Sequence, residues 1–237
     1  MLNSKNLKFN HLKVHTQYSI CEGAIKIDNL QNICKEKKIP SIGLSDTLNL
    51  FGALEFAQNI SKVGTQPIIG TQINFKTSGT TGLLPLIAIN EMGYKNIIQL
   101  SSKSYLENDA LSEPHLELKE LFTACEGVIV FSGTVYGLIG KLFDKGKFDE
   151  IENIYKDLHN SFNDRFYIEI QRHGDHNEAI FEKFNLKKSS DLNVPLIATN
   201  EVFYLDKDMY EAHDALTCIG NKTYVNENNR IKYSNQH

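Results

Sequence analysis

The sequence predicts an α/β fold, a β/α barrel with parallel strands inside and helices outside. Three observations point there. Short apolar runs alternate with helical patterns along all 237 residues, the arrangement that lays parallel strands under a cover of helices. Neither G-x-G-x-x-G nor G-x-x-x-x-G-K occurs, so the nucleotide-binding open sheets lose support and the barrel gains it. Polar residues stand where the runs end, at His15, Asp46, Thr47, Gln72, Asn90, Thr134, His173, Asn200 and Glu201. In a barrel such strand ends converge on one face, which predicts a single pocket.

The elements follow in order. FNHLKVH (9–15) reads as the first strand, and IKIDNLQNICKEKK (25–38) as a helix with Ile27, Leu30, Ile33 and Cys34 on one face. SIGLS (41–45) is the second strand and FGALEFAQNISKV (51–63) the next helix. PIIGTQINF (67–75) and LLPLIAIN (83–90) are strands joined by the TSGTTG turn. Helices are predicted at MGYKNIIQLSSKSY (92–105) and LELKELFTAC (116–125), then a strand at VIVFSG (128–133). Helices at YGLIGKLF and FDEIENIYKDL, the strand RFYIEIQ (165–171), a helix after NEAIF, the strand PLIATN (195–200) and a helix at MYEAHDALTCI complete seven strands.

Composition bounds the function classes. With 41% hydrophobic and 10% aromatic residues the chain can bury a full core. No run approaches the length of a membrane span, and MLNSKNLKFN lacks the apolar centre of a signal peptide. A cytoplasmic protein with no membrane partner is expected. Cys21, Cys34, Cys125 and Cys218 form no Cys-x-x-Cys and read as reduced, mostly buried thiols. A net charge of −4 predicts no general attraction for nucleic acid, so contact with DNA would come through neighbouring domains.

HLKVHTQYS (11–19) looks like a His-x-His metal motif with Lys13 in the first position and only His15 kept. His15, Glu22, Asp46 and Glu201 could hold a hard or borderline divalent ion, or could hydrogen-bond one another in a polar pocket. HGDH offers His173, Asp175 and His176, and also reads as a turn into the following helix. Asp206 and Asp208 resemble a carboxylate pair but fit a helix cap. His213 reads as a packed histidine on a helix whose Ala212, Ala215, Leu216 and Ile219 face the core. His11 opens the first strand, and Cys21 has no basic partner to activate it.

Taken with SDTLNLFGALEF, GTQPIIGTQ and PLIATNEVFYLDKDMYEAH, the first motif resembles the polymerase and histidinol phosphatase (PHP) domain found at the N-terminus of bacterial DNA polymerase III alpha subunits. The resemblance implies a distorted seven-stranded β/α barrel occupying residues 1–237 as one domain. Metal-binding members carry His-x-His, a following acid, Asp-His, a Glu, a Cys, and a final acid with His. This chain matches those positions with Lys13 and His15, Glu22, Asp46 and Thr47, Gln72, Thr134, and Glu201 with Phe203. These are therefore expected to be vestigial metal positions, with no catalytic residue and no cofactor for this stretch.

The family's magnesium belongs to a palm domain, whose motif is absent here. The chain ending in YSNQH is then expected to be a fragment of a DNA-directed DNA polymerase, a nucleotidyltransferase. Its expected role is to support the other domains of the alpha subunit and to dock a separate proofreading exonuclease. The alternative is a residual metal-dependent phosphoesterase or 3′ to 5′ exonuclease.

Overall fold

In the computed structural model, which describes residues 9–234, one curled sheet of nine strands is accompanied by eight α-helices, most of them packed on its outer side. The first stretch runs β1 (Lys13–Val14), α1 (Ile27–Lys37), β2 (Ser41–Thr47), α2 (Ala53–Lys62), β3 (Gln66–Thr77), β4 (Thr80–Ala88) and α3 (Glu91–Leu106). It continues with β5 (Leu116–Glu117), α4 (Leu118–Leu121), β6 (Val128–Phe131), α5 (Leu138–Asp144) and α6 (Phe148–Phe162). The last part holds β7 (Phe166–Ile170), α7 (His176–Leu192), β8 (Leu196–Ala198), β9 (Glu201–Val202) and α8 (Tyr210–Asn221). Residues 1–8 and 235–237, on which the expectations about a leader and about the chain's end fall, lie outside the described residues.

The strand order is β8-β7-β6-β4-β3-β2-β1-β9, with β5 added against β3. Its two ends, β8 and β9, are separated in the chain by Thr199 and Asn200 alone. Three Cα steps reach at most about 11 Å, so the sheet must curl until its edges meet. The molecule is thus a distorted β/α barrel with a seam between β8 and β9.

Each predicted strand is present, and two more join them. The expected count of seven becomes nine because β5 and β9, two residues each, are too short to carry a period. The expectation of parallel strands throughout fails at β4, which runs antiparallel to both β3 and β6. The cause is local. Ser78 and Gly79 both adopt positive φ, 45° and 73°, the combination of a two-residue hairpin turn that sends the chain straight back. One consequence is that Asn90 leaves the sheet at the end opposite the other strand termini. There its side chain caps α3 by accepting from Gly93 N at 2.9 Å, so it takes no part in the mouth.

Helical periodicity explains the packing. α2 buries Ala53, Phe56 and Ile60, and α6 buries Ile151, Ile154, Tyr155, Leu158 and Phe162, spacings that keep one stripe on the sheet. The helix expected over 116–125 shrinks to the four residues of α4 because Leu116 and Glu117 pair with β3 instead. On α8 the expected core face is corrected. His213, Asp214, Thr217 and Cys218 are buried, whereas Ala212 is exposed and Ile219 is 71% exposed. α8 lies against the polar mouth of the barrel, so its inward face is the polar one.

Among the described residues no helix is long and apolar enough to cross a membrane. All four cysteines are free thiols, with Cys34 and Cys218 buried and Cys21 and Cys125 partly so.

Candidate functional site

The site grows from β1. Successive side chains of a strand alternate between faces, so Val14 joins the apolar layer with Ile25, Leu44 and Phe56 while Lys13 and His15 enter the barrel. A buried ammonium is costly unless it is paired. Lys13 Nζ meets two carboxylates, Glu169 Oε1 on β7 at 3.0 Å and Glu201 Oε1 on β9. Burial alone would lower the Lys13 pKa, but Glu169 and Glu201 reverse this and hold it above its ordinary value. Burial likewise pushes the Glu201 carboxyl up, and the charges of Lys13 and His15 overcome that to hold it well below the usual carboxylate range.

His15 completes the ionic cluster. Its Nε2 lies 2.8 Å from Glu201 Oε2, and its Nδ1 lies 3.3 Å from Ser19 Oγ. Ser19 gives its own hydroxyl hydrogen to Asp46 Oδ1 at 2.7 Å, which leaves its oxygen able to accept from Nδ1–H. Each ring nitrogen therefore has an acceptor, as an imidazolium requires, and the Gln72 amide nitrogen also lies 3.1 Å from Nε2. Burial works against that charge, and Glu201 first, then Glu22 and Asp46, raise the His15 pKa in spite of it. Gln72 adds a donor from β3 at 2.9 Å to Glu201 Oε1.

Asp46 serves the turn that follows β1. Its carboxylate accepts from Thr16 N at 2.6 Å, Thr16 Oγ1 at 2.8 Å and Ser19 Oγ. Thr47 donates to Glu22 Oε2, which also stands 3.8 Å from His15 Nδ1. Phe203 lays its ring 4.5 Å from that of His15, stacks on His213 at 5.5 Å, and meets Tyr233 at 4.8 Å. Burial, with Glu22 and Glu201 nearby, raises the Tyr233 pKa.

Lys13, His15, Glu22, Asp46, Thr47, Gln72, Glu201 and Phe203 are thus brought together. Thr134 stands apart, in the loop after β6, where its hydroxyl accepts from Tyr136 N at 3.1 Å. The HGDH stretch is the turn into α7. Asp175 caps that helix in a capping box with Glu178, and His173 Nδ1 lies 2.7 Å from Glu178 Oε1. Asp206 accepts from Asp208 N at 3.1 Å as a cap, and His213 Nε2 lies 2.8 Å from the backbone oxygen of Glu22.

Glu169 and Ser19 were missed from sequence. Glu169 receives Lys13, the Thr199 hydroxyl and Gln171 Nε2 (2.9 Å) on one oxygen, while its Oε2 is buried without a hydrogen-bond partner. A lone acid in the otherwise apolar FYIEI run was the available signal, since a glutamate is almost never fully buried unless paired.

This donor set does not fit a divalent metal ion. An ammonium offers no lone pair and brings its own positive charge, and Lys13 already holds the two carboxylates that an ion would need. Among the described residues no group of three or more His, Cys, Asp or Glu is arranged to hold a metal.

Comparison with known proteins adds context. A PHP domain family model matches residues 11–173. The chain is 38% identical to DNA polymerase III subunit alpha of Caulobacter vibrioides, over 100% of this chain and 21% of that protein. It is 38% identical to the subunit of the same name from Rickettsia bellii, over 90% of this chain and 18% of that protein. The chain thus spans about a fifth of the length of these curated relatives. A solved structure from Bifidobacterium adolescentis, described as a metal-dependent phosphoesterase, shares the fold. It has a TM-score of 0.55 and 10% identity, covering 82% of this chain and 87% of that one.

Proposed function

The chain belongs to the PHP domain family, of the kind similar to DNA polymerase III subunit alpha, and from that premise we propose that it is a supporting domain of a replicative DNA polymerase. In this role residues 1–237 form one domain that catalyses nothing itself. It braces the remaining domains of the alpha subunit, in which a magnesium-dependent palm would carry nucleotidyl transfer. DNA would be met through the full-length protein in the cytoplasm.

The observation that carries this reading is Lys13 between Glu169 and Glu201. The alternative, a metal-dependent phosphoesterase or 3′ to 5′ exonuclease, needs an ion to activate water and hold the leaving oxygen, and the ammonium stands among the carboxylates that would bind one. Elemental analysis of the purified chain should find no stoichiometric manganese or zinc. Added metal should elicit no phosphoesterase activity above that of His15→Ala. Bound metal, or turnover that His15→Ala abolishes, would remove the proposal in favour of the alternative.

A barrel without nuclease chemistry leaves proofreading to a separate exonuclease, and we place its docking on surface loops of this domain. Calorimetric titration with the exonuclease of the same organism at two salt concentrations should show binding that survives moderate salt, as apolar anchors would give. No complex at about 50 µM, where a specific docking contact should register, would move that docking site elsewhere.

A further inference from the structure

At the mouth of the barrel, beside the ionic cluster, lies an open cavity of about 440 Å³, a size at which proteins hold ligands. Phe51, Tyr105, Tyr233 and Ile231 supply apolar and aromatic wall, and among the described residues Glu22 supplies the single charge and no lysine or arginine lines the space. Thr47 donates to Glu22 Oε2, and among the described residues Glu22 Oε1 makes no hydrogen bond. Asn221 turns its amide nitrogen to Thr217 O at 2.9 Å, which leaves its oxygen as a second acceptor. The wall therefore offers acceptors, one negative charge and aromatic faces.

The backbone around this cavity is unusual as well. Seven non-glycine residues among those described have positive φ. Lys38, Asn163, Asn193 and Lys222 end helices, and Ser78 makes the hairpin turn. The other two, Cys21 at 61° and Leu48 at 62°, both line the cavity. Residues held in this region persist where their surroundings enforce it, and they cluster at binding sites. Here Leu48 N donates to Gln72 O at 2.8 Å, which ties the loop to β3. Gly220 packs so closely on Cys21 that a Cβ there would lie 2.8 Å from Cys21 Cβ.

We propose that this cavity binds an arginine side chain presented by a partner protein. A guanidinium is planar, so it can lie on Phe51 or Tyr105 while its N–H groups reach Glu22 Oε1 and Asn221. The lone carboxylate selects against phosphate-bearing ligands. Phe51 is 65% exposed and Ile231 59% exposed, apolar surface that side chains flanking the arginine would cover. The site is defined by its own chemistry and stands independently of the polymerase reading.

The test is titration of the isotope-labelled 237-residue chain with N-acetyl-arginine amide, followed by amide NMR shifts, with N-acetyl-citrulline amide as the isosteric neutral control. Saturable shifts are expected at 20–22, 47–51 and 217–221 with the arginine compound alone. Glu22→Gln and Phe51→Ser should each weaken binding by at least about threefold, with unchanged near-ultraviolet dichroism. Equal shifts with citrulline, no saturation by about 20 mM, or affinity unchanged in both variants would overturn the proposal. Shifts of the same amides with adenosine instead would overturn it in favour of base stacking.

Discussion

The two faces of this sheet are filled by opposite means. Outside, between strands and helices, the fill is apolar. Val14 and Leu44 of the strands pack with Phe56 and Ile60 of α2, while Leu86, Val130 and Phe166 of the strands pack in one cluster with Leu142 of α5 and Tyr155 of α6. Inside, at the mouth, the fill is ionic, with Lys13, His15, Glu169 and Glu201 all buried and joined by Gln72, Gln171 and Thr199. The outer layer tolerates approximation, because apolar contact has little direction. The inner cluster does not, because each charge depends on a named partner.

The difference matters most at the seam. β8 and β9 are neighbours in the chain, yet the hydrogen-bonded strand order ends at each of them. Lys13 on β1 reaches Glu169 on β7, and Thr199, between β8 and β9, donates to the same carboxylate. Side chains thus join the edges where a ladder would otherwise run.

The comparison breaks most sharply at Lys13. Lys13→Ala leaves two buried carboxylates facing each other and should cost about 3–5 kcal/mol, read as a lower urea midpoint with unchanged slope. A triple variant, Lys13→Met with Glu169→Gln and Glu201→Gln, should recover most of that loss, since neutral groups need no counter-charge. In the outer layer Leu142→Ala should cost about 2–5 kcal/mol through its cavity, and no second substitution that removes a charge should rescue it. A Lys13→Ala protein as stable as the parent would show that the ionic fill is dispensable.

Acid should separate the two regions next, because only the inner one titrates. Glu201 has a depressed pKa in the folded chain, so its contribution is complete above the ordinary value of 4.5 and drains away as pH falls toward the folded value. Lys13 and His15 have raised values, so theirs persist at low pH and are lost only as pH rises through those values. Melting temperature below about pH 4.5 should therefore fall less steeply in Glu201→Gln than in the parent. Parallel slopes would mean that other carboxylates set the acid limb.

How much was legible in the sequence divides along the same line. Val14, Phe56, Ile60 and Tyr155 follow from period, because an apolar residue needs only the correct face. TSGTTG was legible as a turn, but its consequence, the reversal of β4 and the removal of Asn90 from the mouth, depends on positive φ at both Ser78 and Gly79. Lys13 was visible as an anomaly, and Glu201 as a residue at a strand end. That they pair, with Glu169 as the third member, depends on a sheet curling through all its strands. The face of α8 was misread for a related reason, since an amphipathic pattern presumes an apolar neighbour and this helix has a polar one.

The smallest effect sharpens the comparison by staying local. Asp175 accepts from Asn177 N at 2.8 Å and from the Tyr136 hydroxyl, and it forms a capping box with Glu178 at the start of α7. Burial and this carboxylate together push the Tyr136 pKa up to about 12. Removing a cap of this kind costs about 1 kcal/mol, and Glu178 would still hold His173 from within the helix. Asp175→Ala should therefore speed amide exchange at 176–179 while leaving the amides of β1 and β7 protected to the global limit. Lys13→Ala should do the reverse, lowering protection in both strands together because its two carboxylates sit on opposite sides of the seam. If Asp175→Ala also loosened β7, the turn after that strand would belong to the ionic interior and not to the surface.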